Sequence, residues 1–163
     1  MTQFSQEVGP TSSHVRRLNE LLQSEYVGMY GLPDPNPEGG LELAHGSNGR
    51  GHVLFRGVDW GEDPIGMVGW SRLESGSNVA VLHRMYVHYE HRRNGYSKDL
   101  LRIAETSARI QGMRRMLLET GDVQTTAIAL YRSQGYTDCE PFGFYAETAQ
   151  DWTNSVFLGK DLA

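Results

Sequence analysis

Three groups of residues in this chain have side chains and spacings that can do chemistry. The run Met85-Tyr86-Val87 closes an apolar stretch, and four residues later comes Arg92-Arg93-Asn94-Gly95-Tyr96-Ser97-Lys98. A strand that runs into a short loop and enters a helix at a glycine presents unpaired N–H groups and the positive end of the helix dipole. Together these hold an anion. Gly95 lets the backbone approach such a group closely. Arg92, Arg93 and Lys98 add charge, and arginine forks onto phosphate oxygens. The same residues also fit a plain solvated helix start.

Gln124 and Tyr131 stand seven residues apart. In a helix, two turns bring an amide and a phenol to one face. Tyr131 would serve equally as a core aromatic beside Leu130. Glu119 ends the apolar run Met116-Leu117-Leu118. A carboxylate at the end of a parallel strand sits where α/β sheets bind ligands, and there it can act as a base. An exposed strand-end acid has the same sequence.

The elements that must position these groups follow from periodicity and turn formers. Val15, Leu18, Leu21, Leu22 and Tyr26 predict a helix over 14–29, capped by Ser12 or Ser13. Pro33, Pro35 and Pro37 predict a loop over 32–40. Strands are expected at 52–55, 65–72 and 79–88, separated by Gly57, Gly61 and Pro64 and by Ser75-Gly76-Ser77-Asn78. A helix over 96–111 carries Leu100, Leu101, Ala104 and Ala108 on one stripe and stops at Gly112. A strand at 113–120, a helix at 124–134 and strands at 136–142 and 155–162 complete the chain. Strand–helix–strand–helix from Val79 to Gly135 implies a parallel crossover. The fold class is therefore α/β, in the mixed α+β sense, with a central mixed sheet of about six to seven strands and about four flanking helices. Residues 1–163 read as one domain, with 1–13 as a flexible lead.

The order and spacing of the three groups resemble the GNAT superfamily of acyl-CoA-dependent N-acetyltransferases, in its small bacterial form. The family's loop Arg/Gln-x-x-Gly-x-Gly/Ala is matched by Arg92 to Ser97, with Ser97 in place of the last small residue. Its later pattern, Asn and then Ala-Ile-x-Leu-Tyr-x-x-x-Gly-Phe, is matched by Gln124 and by Ala127 to Tyr136, with Gln124 in place of Asn. The resemblance covers roughly Ile65 to Leu162. It implies that the backbone of Met85, Tyr86 and Val87 pairs with the pantetheine arm and polarises the thioester carbonyl. It implies that Arg92, Arg93, Asn94, Gly95, Tyr96, Ser97 and Lys98 form the pyrophosphate loop, and that Gln124 contacts the cofactor. Tyr131 would protonate the leaving thiolate. Glu119 matches the strand glutamate that is the base in the ribosomal-protein alanine acetyltransferase type; failing it, His83 or Glu25 would follow.

These roles suit the chemistry. An amine near pKa 10 is mostly protonated at neutral pH, so a base must free its lone pair. The oxyanion formed by attack on a thioester is stabilised by backbone N–H groups. Acetyl-CoA is the implied co-substrate, and no metal is required.

Composition narrows the rest. With 163 residues, 39% apolar and 21% charged, the chain can bury a sizeable core. The single Cys139 excludes an internal disulfide. Net charge is −5, yet residues 84–116 carry +5 and the remainder −10. One basic belt on an acidic chain fits a local anion site better than a nucleic-acid surface. No apolar run spans a bilayer and no signal peptide is visible, so neither membrane nor nucleic acid is expected as a partner and the cytoplasm is the expected compartment. The expected function is acetyl transfer from acetyl-CoA to the primary amine of a small molecule, with a homodimer allowed. Alternatives are a protein N-terminal acetyltransferase and a non-catalytic acyl-CoA sensor; a nucleotide hydrolase lacks its Gly-Lys-Ser/Thr loop.

Overall fold

The computed structural model describes residues 3–46, 49–56 and 64–162. Strands β1 (Gln3–Glu7), β2 (Gly49–Arg56), β3 (Pro64–Arg72), β4 (Val79–Val87), β5 (Arg115–Gly121), β6 (Thr137–Asp138) and β7 (Ser155–Asp161) form one sheet. Its order is β1-β2-β3-β4-β5-β7-β6. Helices are α1 (Ser13–Tyr30), α2 (Pro37–His45), α3 (Tyr96–Ile110), α4 (Thr125–Ser133) and the single turn α5 (Phe144–Glu147), with a 3₁₀ turn at Tyr89–His91. The mixed α+β class holds, with seven strands and five α-helices among the described residues.

Three expectations are corrected. Residues 3–7 are not a loose lead: they pair antiparallel with β2, from Gln3 opposite Arg56 to Glu7 opposite His52. The sequence Gln-Phe-Ser-Gln-Glu has too few apolar residues to announce a strand; the ladder of an edge strand needs only its backbone. The proline-rich stretch is a loop only to Asn36. Pro37 then opens α2, and the Asn36 side chain accepts from Gly39 N–H at 3.0 Å. A proline at the first helical position starts a helix rather than breaking one, because its missing N–H would have had no partner there. The expected strand at 136–142 shrinks to Thr137–Asp138. The turn glycines Gly57 and Gly61 lie outside the described residues.

The sheet is covered on both faces. Successive residues of β2 point opposite ways: Val53 and Phe55 join Val15, Leu18 and Leu22 of α1. Leu54 between them joins Leu100, Leu101, Ala104 and Ala108 of α3. Each such leucine, removed from water, contributes about 1.5–3 kcal/mol. Trp70 secures α3 further, donating from Nε1 to Ser107 Oγ at 3.0 Å. Gly69 of β3 lets α2 lie close, since a Cβ there would come within 2.2 Å of the Ala44 carbonyl oxygen.

What matters for a site is the centre of the sheet. β4 and β5 are the parallel pair, and α3 crosses between them. They pair only at Val79, Ala80 and Val81, opposite Arg115, Met116 and Leu117. Beyond that point both strands continue without each other. β4 is then kept on β3 through a bulge, where the register shifts between Met67 and Gly69. Arg84 sits in that bulge with φ 52°, a left-handed conformation that arginine rarely adopts. Its guanidinium, largely buried, pairs with Asp34 at 2.5 Å and donates to the Pro37 carbonyl at 3.3 Å. The loop between α1 and α2 is thereby tied to the bulge.

Candidate active site

The parting of β4 and β5 opens a cleft of about 1290 Å³. Leu82, His83, Arg84 and Met85 line it from β4, and Leu118, Glu119, Thr120 and Gly121 line it from β5. Gln124, just before α4, and Tyr131 within it enter the cleft, as do Tyr26 and Tyr30 from α1. Phe142, Phe144, Tyr145 and Trp152 close the far side. The structure thus brings Glu119, Tyr131, Gln124 and Met85 to one cavity from separate elements.

Glu119 is half-buried, opposite Phe157 in the ladder. Tyr145 Oη donates to its Oε2 at 3.3 Å. Burial, and then the Glu119 charge, push the Tyr145 hydroxyl well above its usual range, so it remains a donor. Trp152 holds Tyr145 in place by donating from Nε1 to its carbonyl at 3.0 Å. Tyr131 is only 7% exposed, and its ring meets Tyr136 edge-on at 5.8 Å. Burial pushes its hydroxyl far up as well, keeping the proton on at any ordinary pH. Among the described residues no hydrogen-bond partner accepts that proton.

Gln124 is the N-cap of α4 rather than part of its first turn, and its amide donates to Tyr30 Oη at 2.8 Å. It therefore braces the end of α1 across the tip of β5. His83 lines the cleft too, but its Nε2 lies 2.8 Å from Ser71 Oγ. Burial, with Arg84 next to it, lowers its pKa to about 4, so the ring is neutral at physiological pH. Glu25 does not line the cleft; it receives Arg92 at 2.6 Å and the Tyr86 hydroxyl at 3.2 Å.

The anion loop forms a second part of the site, at the start of α3. Gly95 has φ 80° and a Cβ there would meet nothing within 4 Å, so the turn is open to a ligand and conformationally suited to glycine. No acceptor among the described residues takes the backbone N–H groups of Arg93, Asn94, Gly95, Tyr96 or Ser97. Arg93 adopts φ 66° and, with Lys98, is exposed. Arg92 differs: besides Glu25 it donates from Nε to the Val87 carbonyl at 3.0 Å and lies over the Tyr86 ring at 5.3 Å. Burial and then Glu25 raise Tyr86 to about 12. Arg92 therefore holds the loop to the strand, leaving Arg93 and Lys98 as the cations turned outward.

Unpaired amides at a helix start, two cations and an open strand edge at 82–87 fit an extended thioester carrier that ends in phosphates. Sequence reasoning did not single out Tyr145 as the partner of Glu119, Trp152 as its support, or the Asp34–Arg84 pair. The Phe-Gly-Phe-Tyr run was the visible signal for the aromatic wall. The Asp34–Arg84 contact, fifty residues apart, left none.

Among the described residues, a mixed sheet parts at a parallel pair, with unpaired loop amides at the start of α3 beside the opening. The acetyltransferase (GNAT) family model matches residues 15–136, and the chain belongs to that family. It is 47% identical over 90 residues to an IAA acetyltransferase of Azospirillum brasilense, covering 55% of this chain and 56% of that one. It is 37% identical over 78 residues to human N-acetyltransferase 8, covering 46% of this chain and 34% of that one. The matched stretch thus spans about half or less of these relatives. The fold is that of a GNAT acetyltransferase of Staphylococcus aureus, with TM-score 0.76, 19% identity and 99% and 100% coverage. It is also that of an aminoglycoside 6'-N-acetyltransferase complexed with coenzyme A, with TM-score 0.71, 16% identity and 98% and 97% coverage.

Proposed function

We propose that the protein transfers an acetyl group from acetyl-CoA to the primary amine of a small molecule, by direct attack of the amine on the thioester. The observation that carries this reading is the meeting of Glu119 and Tyr131 in one cleft where β4 and β5 part. When bound, acetyl-CoA would supply the acetyl group on a thiol leaving group.

The chain's own residues have distinct tasks. The N–H groups of residues 93–97, with Arg93 and Lys98, hold phosphate oxygens, and Arg92 fixes the loop that presents them. The edge of β4 that β5 leaves unpaired, from Met85 to Val87, offers backbone groups other than the Val87 carbonyl, which Arg92 occupies, along the cofactor arm and a donor toward the developing oxyanion. Glu119, held by Tyr145, takes the ammonium proton and in doing so loses its charge, which a half-buried site favours. Tyr131 keeps a hydroxyl proton in the cleft for the departing sulfur and regains one from the nitrogen, which sheds its second proton as the amide forms. Arg84, through Asp34, positions the α1–α2 loop that walls the acceptor side.

The aromatic side chains that line the cleft support a small acceptor, and the family membership supports acetyl transfer. The test is thiol release from acetyl-CoA with and without a mixture of small primary amines. Release that depends on the amine is expected. Tight binding of acetyl-CoA with no release in any mixture would leave the sensor reading in its place.

A further inference from the structure

We propose that the acceptor is an arylalkylamine without a carboxylate: an aromatic body seated between Tyr30 and Leu32 on one side and Phe144, Tyr145 and Trp152 on the other, with its ammonium group on Glu119. The inference rests on the acetyl-transfer reading and goes on to name the class of acceptor.

Large apolar side chains are normally withdrawn from water. Here Leu32 is 71% exposed, Phe144 64% and Tyr30 44%, and all three line the same cleft. Exposed apolar groups that converge on a concavity mark the footprint of an apolar ligand. The rings are already set in a corner: Tyr145 and Trp152 meet at 4.9 Å and 81°, and Phe144 stands 5.9 Å from Tyr145 and 6.0 Å from Trp152. Edge-to-face packing and the Trp152-to-Tyr145 hydrogen bond hold that corner, so little order has to be acquired when a ring enters it.

Charge selects the other end of the molecule. Of the cleft cations, Arg84 is committed to Asp34 and Arg72 to the Ser77 carbonyl. Among the described residues Glu119 meets only a neutral hydroxyl. The floor therefore attracts an ammonium group and repels a carboxylate, and the neighbouring ring faces favour a cation as well. An aromatic amino acid would place its carboxylate against Glu119.

The experiment compares kcat/KM for 2-phenylethylamine, n-butylamine and phenylalanine with saturating acetyl-CoA. A buried phenyl group against a short alkyl chain should give 2-phenylethylamine an advantage of about 10- to 100-fold. Phenylalanine should fall below it by a similar factor. Phe144→Ala, at an exposed ring that the core does not need, should shrink the phenylethylamine-to-butylamine ratio mainly through KM. A ratio near one in the wild-type protein, or preference for phenylalanine, overturns the inference while acetyl transfer stands. Acetylation of none of the three, nor of any other small amine, removes both.

Discussion

Replacing Tyr131 by phenylalanine removes one oxygen from the point where the account places proton delivery. The ring itself is 7% exposed and packs edge-on to Tyr136 at 5.8 Å, contacts that phenylalanine keeps. No described residue accepts from the hydroxyl, so no hydrogen bond inside the protein is lost and stability should change by less than about 0.5 kcal/mol. The catalytic loss is of a different size. Proton delivery by a positioned side chain contributes roughly 10²–10⁴ in rate, which at 1.36 kcal/mol per decade is about 2.7–5.4 kcal/mol of barrier. Thiol release measured at saturating acetyl-CoA and amine should fall by that factor. The melting temperature and the calorimetric affinity for acetyl-CoA should hold. A variant with full turnover would refute the assignment and return Tyr131 to the core; loss of folding would show that its hydroxyl has a structural partner.

Three further outcomes follow. Glu119→Gln should keep acetyl-CoA affinity and lose at least about 10²-fold in rate; an undiminished rate would place the base elsewhere. Gly95→Val puts a β-branched residue at φ 80° and a side chain into the open anion turn; acetyl-CoA affinity should drop severely in a protein that still folds, as read by calorimetry, and equal affinity would make the loop merely structural. His83, held at about 4 against 6.5 unfolded, favours the folded state above pH 6.5, and that contribution is lost as pH falls toward 4. Burial lowers His52 in the same direction. At 1.36 kcal/mol per unit, His83 alone should cost about 2 kcal/mol between pH 8 and pH 5 in urea unfolding. His83→Gln should remove that part of the slope, and an unchanged slope would contradict the burial argument.

The sequence displayed the parts of the site that local rules control. Gly95 with its arginines, the apolar run into Glu119 and the Gln124–Tyr131 spacing are each contained within one element or one turn. Their elements formed close to the expected positions, from Tyr96–Ile110 to Thr125–Ser133. What stayed hidden depends on distance along the chain. The Gln3–Glu7 strand exists because β2 offers it an edge. Helix α2 starts at a proline that also reads as a breaker. The spacing of Gln124 to Tyr131 suggested one shared helix face, and only the family resemblance assigned Gln124 to the cofactor; the contact of its amide with Tyr30, ninety-four residues away, left no trace in either. Tyr145 meets Glu119 only because β7 lies beside β5 and the aromatic segment folds over it. Periodicity carries no record of such contacts.

The most direct test of the central claim follows the acetyl group itself. Acetyl-CoA labelled in the acetyl carbon is mixed with excess protein and a mixture of small primary amines that includes 2-phenylethylamine, quenched at successive times, and both the amines and the intact protein are weighed by mass spectrometry. Label should pass to the amine nitrogen in step with the loss of acetyl-CoA, with none on the protein at any time. Label found on the chain before it reaches the amine, or acetyl-CoA bound and left intact, would contradict direct attack by the amine in this cleft.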